Sequence, residues 1–264
     1  MLNHLLTFFI FLVIGIEIRE GLTHLKAAIL PSLAALGGMV VPALIYFTIA
    51  SEKSAWAVVM PTDIALAIGA LSLLGKRVNP AVRLFLMTLA VADDFFSLVV
   101  IGIFFRSDLD ISSAFYTIGA AVIGALLPRR DIAIKIFAPL VSYVVIPAYI
   151  VLNLFARFDL SSIATSNSIS IAIARIIGKV IGITFTTWLL IKVTKLALPE
   201  GLRIQEVIGV GLLAGMGMTV SLVIAEITIS SEATMNEIRS GLFISAIISG
   251  ALGVLWLKRF PVAQ

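Results

Sequence analysis

The chain of 264 residues is 60% hydrophobic and 13% charged, with a mean hydropathy of +1.13 and a formal net charge of +4. A soluble domain is closer to half apolar and a quarter charged, so lipid is the solvent here, and the basic balance reads as loop charge that sets topology rather than as nucleic-acid affinity. There is no cysteine, which removes disulfides and thiolate chemistry, and the two histidines, His4 and His24, lie near the N-terminus without forming a metal cluster.

A spanning helix needs about 20 mostly apolar residues. On that template nine runs appear in chain order, roughly 2–18, 28–49, 55–74, 81–105, 112–127, 134–156, 164–191, 205–229 and 240–257. The first carries no Lys or Arg ahead of its apolar stretch, so it reads as a true spanning helix and not as a signal peptide. No strand alternation or long polar linker separates the runs. The expected fold is therefore an all-α polytopic bundle of about nine spans in a single membrane domain, 1–264.

Alternate connections carry very different charge. One side holds thirteen Lys and Arg, from Arg19 and Lys26 to Lys258 and Arg259, and the other holds four, Lys53, Arg106, Arg157 and Arg239. The positive-inside rule then predicts an external N-terminus and a cytoplasmic C-terminus in the cell membrane.

Five ionisable side chains interrupt the apolar runs at depth: Asp63 in the third, Asp93 and Asp94 in the fourth, and Arg175 and Lys179 in the seventh. Glu226 lies toward the outer end of the eighth. A central charge costs roughly 2.5–3.5 kcal/mol on the lenient insertion scale, so Asp63, Asp93, Asp94 and Lys179 together cost on the order of 10 kcal/mol. Paired ions that only fix helix packing would explain them poorly, because a Leu or Ala costs less. A pathway for a charged substrate explains them better.

Neighbouring residues on a helix project about 100° apart, so Asp93 and Asp94 cannot face the same way. One can line a water-filled cavity while the other meets a fixed cation, for which Lys179 is the candidate. Two adjacent carboxylates repel, and either a proton or a small hard cation relieves that repulsion. Two runs also carry breaks at mid-depth. Pro61 lacks a backbone donor and disfavours helix at Met60, and Gly215-Met216-Gly217 is a second weak point. Broken helices expose half-charges at their ends, which Asp63 could offset at the positive ends and Lys179 at the negative ones. Thr62, Thr219 and Ser221 offer oxygens nearby.

At these residues the chain resembles the NhaA family of sodium/proton antiporters. The resemblance rests on Phe11-Leu12-Val13-Ile14-Gly15-Ile16-Glu17, on Leu36-Gly37-Gly38-Met39-Val40-Val41-Pro42-Ala43 and on Pro61-Thr62-Asp63-Ile64-Ala65. It continues through Leu89-Ala90-Val91-Ala92-Asp93-Asp94, Ile177-Gly178-Lys179 and Gly215-Met216-Gly217-Met218-Thr219-Val220-Ser221. The resemblance implies electrogenic exchange of sodium (or lithium) for protons across the inner membrane, serving pH and sodium homeostasis, with no cofactor and no enzymatic activity. It implies an inverted-repeat core with two broken helices, at 28–105 and 164–257, beside a reduced scaffold part at 1–27 and 106–163. Asp93, Asp94 and Thr62 become the ion-binding residues, Asp63 and Lys179 the charge-compensating ones, and Pro61, Gly215 and Gly217 the breaks. Glu17 and Glu20 match a pH-responsive pair, although they are three apart here and four apart in the family.

Other departures are expected to matter. The family's first helix and following hairpin have no counterpart, and about two of its helices collapse into one short run between Ser113 and Pro128. The hairpin commonly supports a homodimer, so dimerisation is in question. His4 replaces an early aspartate, and Val180 follows Lys179 where a proline is common. Expected partners are lipid, sodium and protons. The competing readings are a decayed carrier that inserts without transporting, a passive channel, and an intramembrane aspartyl protease using Asp63 with Asp93 or Asp94. The Gly-x-Gly-Asp context of such proteases is absent.

Overall fold

A computed structural model describes residues 2–21, 25–75, 78–105, 111–128, 130–154 and 159–260, apart from the side chains of 21, 25–27, 111, 130 and 131. Of the loop charges read above, Lys76, Arg77, Arg106, Arg129 and Arg157 fall outside the described residues, as do His24 and the side chains of Lys26 and Arg130.

The described residues are helical in succession. Six continuous helices are long and apolar enough to cross a bilayer: α1 (Leu2–Gly21), α2 (Leu25–Ile49), α4 (Pro80–Phe104), α6 (Ile132–Asn153), α7 (Ser166–Val193) and α10 (Glu232–Leu257). Two more spans are broken and bent by 47° each. The first joins a 3-10 segment, Lys53–Val59, to α3 (Ile64–Ser72), and the second joins α8 (Ile204–Ala214) to α9 (Thr219–Thr228). The shorter apolar helix α5 (Ser112–Leu126) completes the nine runs expected from hydropathy. Helix, broken span and helix thus occur in that order twice, in α2 to α4 and in α7 to α10.

Local sequence accounts for the ends and irregularities. Asn79 caps α4 through its side chain and Pro80 opens the helix, where its missing N–H is not needed. Outside the spans, the Glu52 carboxyl is held below the usual carboxylate range by the hydroxyl and N–H of Ser54. Asp159 is lowered likewise by Ser161, so both stay ionised caps at neutral pH. α6 contains a π-turn at Val141–Val145, flanked by Pro139 and Pro147, each of which removes one backbone donor.

Two expectations are corrected. The last helix begins at Glu232 instead of residue 240, because Ser231 caps it and Arg239, read as a loop charge, is buried inside it. There Arg239 donates to Glu232 (2.8 Å) and Asn236 (2.7 Å) on its own helix. Met60 also keeps right-handed helical angles (φ −79°, ψ −49°), so the chain leaves the helix after it, not at it.

Packing is closest between α2 and α7, where glycines let the backbones meet. A Cβ on Gly178 would lie 2.7 Å from Pro42 Cα, and one on Gly182 would collide with the Gly37 carbonyl. The apolar core falls into two clusters. One gathers Tyr46, Val58, Ile101, Ala174, Val223 and Leu242 with α1 and α6, and the other gathers Leu30, Leu71, Leu86, Ile183, Val210 and Leu257. The buried charges Asp63, Asp93, Asp94, Arg175 and Lys179 fall between members of the two clusters. Asp93 and Asp94 lie between Leu86 and Ile101, Lys179 between Ala174 and Ile183, and the two breaks between Val58 and Leu71 and between Val210 and Val223. A polar layer is therefore held between two apolar slabs.

Candidate functional site: a charged crossing of two broken helices

The breaks cross in that polar layer. Asp63 is extended (φ −111°, ψ 109°), and the second break runs from Gly215 (φ −68°) to Met218 (φ −133°). Gly217 sits where the strands of chain touch: a Cβ there would fall 2.9 Å from Thr62 Cα and against the Pro61 carbonyl. The glycines are thus required for space. Neither adopts a positive φ, which among the described residues only Gly75 and Gly201 do.

The half-helix ends are neutralised by three side chains. Asp63 serves the positive ends: it accepts from the N–H of Leu66 (3.2 Å) in the first turn of α3 and from the hydroxyl of Thr219 (2.7 Å), the first residue of α9. The negative ends meet Lys179, the residue the sequence suggested, at the Met60 carbonyl, and more extensively Arg175. Its guanidinium donates to the carbonyls of Val58 (2.9 Å), Pro61 (2.9 Å), Gly215 (3.3 Å) and Gly217 (2.6 Å) and to the hydroxyl of Ser221 (2.9 Å). A guanidinium has five N–H donors in a rigid fork, and here each has an acceptor. Lys179 uses its three donors on the Met60 carbonyl, the Thr62 hydroxyl (2.9 Å) and the Asp93 carboxylate (3.2 Å). Both cations are fully buried.

The two adjacent aspartates separate as helix geometry requires. Asp93 turns to Lys179, while Asp94 faces a cavity of about 50 Å³ shared with Glu17, Thr62, Asp63 and Thr219. Apolar side chains of α1 (Ile10, Val13, Ile14) and the π-turn of α6 (Val141, Ser142) close its other wall. Asp93 Oδ1 and Asp94 Oδ1 are buried and have no hydrogen-bond partner. Glu17 adds a carboxylate at the cavity wall, and the groups at the crossing itself, three aspartates and two cations, leave one negative charge in a low-dielectric layer when all are ionised. A proton or one monovalent cation on the aspartate pair removes it. Among the described residues no group of three His, Asp or Glu could hold a metal ion together. What remains is a small oxygen-lined site suited to one hard monovalent cation.

The residues singled out from the sequence come together here except Glu20, which is exposed one turn beyond Glu17 on α1, and Glu226, which lies at another cavity. Glu17 itself lines the Asp94 cavity, closer to the site than a remote sensor would be. Arg175 was visible as a buried charge but its role was missed. Its spacing of one turn from Lys179 was the available signal, since it places both side chains on the face that meets the crossing.

The family model described as Na+/H+ antiporter 1 matches residues 1–138 and 130–257. The two matches overlap at 130–138, just beyond the stretch between Ser113 and Pro128 where the shortening was expected. Among curated proteins, the Na(+)/H(+) antiporter NhaA of Citrobacter koseri is 30% identical over 319 aligned positions, covering 97% of this chain and 82% of the relative. NhaA 1 of Klebsiella pneumoniae is 29% identical, with 98% and 81% covered, and NhaA of Escherichia coli O9:H4 is 29% identical, with 97% and 82% covered. An alignment of 319 positions on 264 residues opens gaps inside this chain.

Proposed function

The chain belongs to the Na+/H+ antiporter 1 family, and from that premise we propose that it exchanges sodium for protons at the Asp93–Asp94 pair. It is a transporter, not an enzyme, and the exchange needs no cofactor, since sodium and protons are its substrates. The observation that carries the site assignment is the unpartnered Asp94 oxygen facing an oxygen-lined cavity beside one uncompensated negative charge.

Asp94 takes the ion, with Thr62 and Thr219 as neighbouring oxygens. Asp93 shares the exchangeable charge while its other oxygen holds Lys179. Protonation and sodium binding are alternatives at the same oxygens, so loading one ion releases the other. Arg175, Lys179 and Asp63 keep the half-helix ends neutral while the ion changes. The ion-binding core is assigned to 28–105 and 164–257, and 1–27 with 106–163 form a reduced scaffold whose helices α1 and α6 wall the cavity.

The protein is multi-pass, and its bacterial relatives support the inner membrane. The loop charge count, thirteen to three once the buried Arg239 is set aside, supports an external N-terminus and a cytoplasmic C-terminus.

A sodium pulse applied to energised everted vesicles tests the assignment. Sodium should release protons with the wild-type protein and not with Asp94→Asn, which keeps the shape and removes the charge. Inserted, folded Asp94→Asn protein that still exchanges near the wild-type rate would rule out this site.

A further inference from the structure

A second cavity, of about 220 Å³, lies at the opposite end of the bundle from Glu17, among α1, α5 and α9. Its polar wall is Asn3, His4, Thr7, Tyr116, Thr117 and Glu226. Thr7 and Val223 line this cavity while Ile10 and Val220 line the one at Asp94, three residues further along the same two helices. The two cavities are therefore back to back, separated by about one helical turn, or roughly 5 Å.

Glu226 is exposed and is the one charged residue of its half-helix, where an alanine or leucine would carry no insertion cost. The fully buried Tyr149 of α6 donates its hydroxyl to Glu226 Oε2 (3.2 Å). The Tyr149 carbonyl accepts from Asn153 (3.2 Å), which in turn accepts from Asn3 of α1 (2.8 Å). A hydrogen-bonded chain thus ties the carboxylate on the core helix to both wall helices. The lining is rich in oxygen, and its one basic side chain, His4, stacks on Tyr116 (4.9 Å).

We propose that this cavity is a second monovalent-cation site, in which the Glu226 carboxylate holds sodium as it passes between solution and Asp94. The inference rests on the exchange reading above and adds a station that the Asp93–Asp94 site does not require. Hydroxyl and amide oxygens around one carboxylate suit a hard ion held weakly enough to leave.

The test is labelled-sodium exchange in right-side-out and everted vesicles, comparing wild type, Glu226→Gln and Glu226→Asp. Gln keeps an acceptor for Tyr149 and removes the charge, while Asp keeps the charge. Gln should raise half-saturating sodium about tenfold on the face that bears the N-terminus of α1, leave the other face unchanged, and be largely rescued by Asp. Wild-type values for Gln on both faces, or equal defects in Gln and Asp, would overturn the proposal. Should Gln prevent insertion, Thr7→Val removes another oxygen from the same wall and is read by the same face-specific criterion. The two readings fail separately: exchange by Asp94→Asn defeats the main site, whereas silent Glu226→Gln with inactive Asp94→Asn defeats only this one.

Discussion

Arg175 and Lys179 lie one turn apart on α7 and do different work. Lys179 is the partner of Asp93, and removing one member of a buried ion pair costs roughly 3–5 kcal/mol. Among the described residues Arg175 has no carboxylate at hydrogen-bond distance but holds four carbonyls and a hydroxyl. Each buried acceptor left without a donor costs about 1–3 kcal/mol. Arg175→Leu should therefore lower the melting temperature in detergent at least as far as Lys179→Ala does. Arg175→Lys should not restore it, because three donors on one nitrogen cannot reach five acceptors spread over two breaks. An Arg175→Leu protein melting with the wild type would show that the carbonyls find other partners and that the crossing does not depend on the guanidinium.

At the scale of elements, the sequence was most informative where the physics is local. Apolar run length located the six continuous spans and the two broken ones, since bilayer thickness sets a length that no soluble helix must meet. Pro61 and the Gly215–Gly217 pair marked both breaks. Their mechanism was less legible. Pro61 ends the helix one residue later than its steric preference suggests, and the first half-helix is 3-10. The glycines serve a crossing with a distant segment, which no local reading of the pair contains. Backbone carbonyls are equally invisible in sequence, so the acceptors that explain Arg175 could not be counted before the breaks were placed against α7. The start of α10 was missed for a related reason: Glu232 and Arg239 break the apolar pattern, yet they neutralise each other within one helix.

Over the whole molecule, two apolar slabs hold a polar layer, and two cavities approach that layer from opposite ends along α1 and α9. The Asp94 cavity lies between helices α1 and α6 and the two breaks. The loop charges predict that the C-terminus faces the cytoplasm. A reporter fused after Gln264 should be active only if it is a type that works in the cytoplasm, and activity of a periplasmic reporter there would reverse the orientation. The central claim is that sodium and protons occupy the same oxygens in turn. Its most direct test is half-saturating sodium for exchange, measured in proteoliposomes over a series of pH values. Competition at one site predicts that half-saturating sodium rises steadily as pH falls, while the maximal rate at saturating sodium is preserved. A half-saturating concentration that stays constant while the maximal rate falls would mean that protons act elsewhere, and would contradict the account.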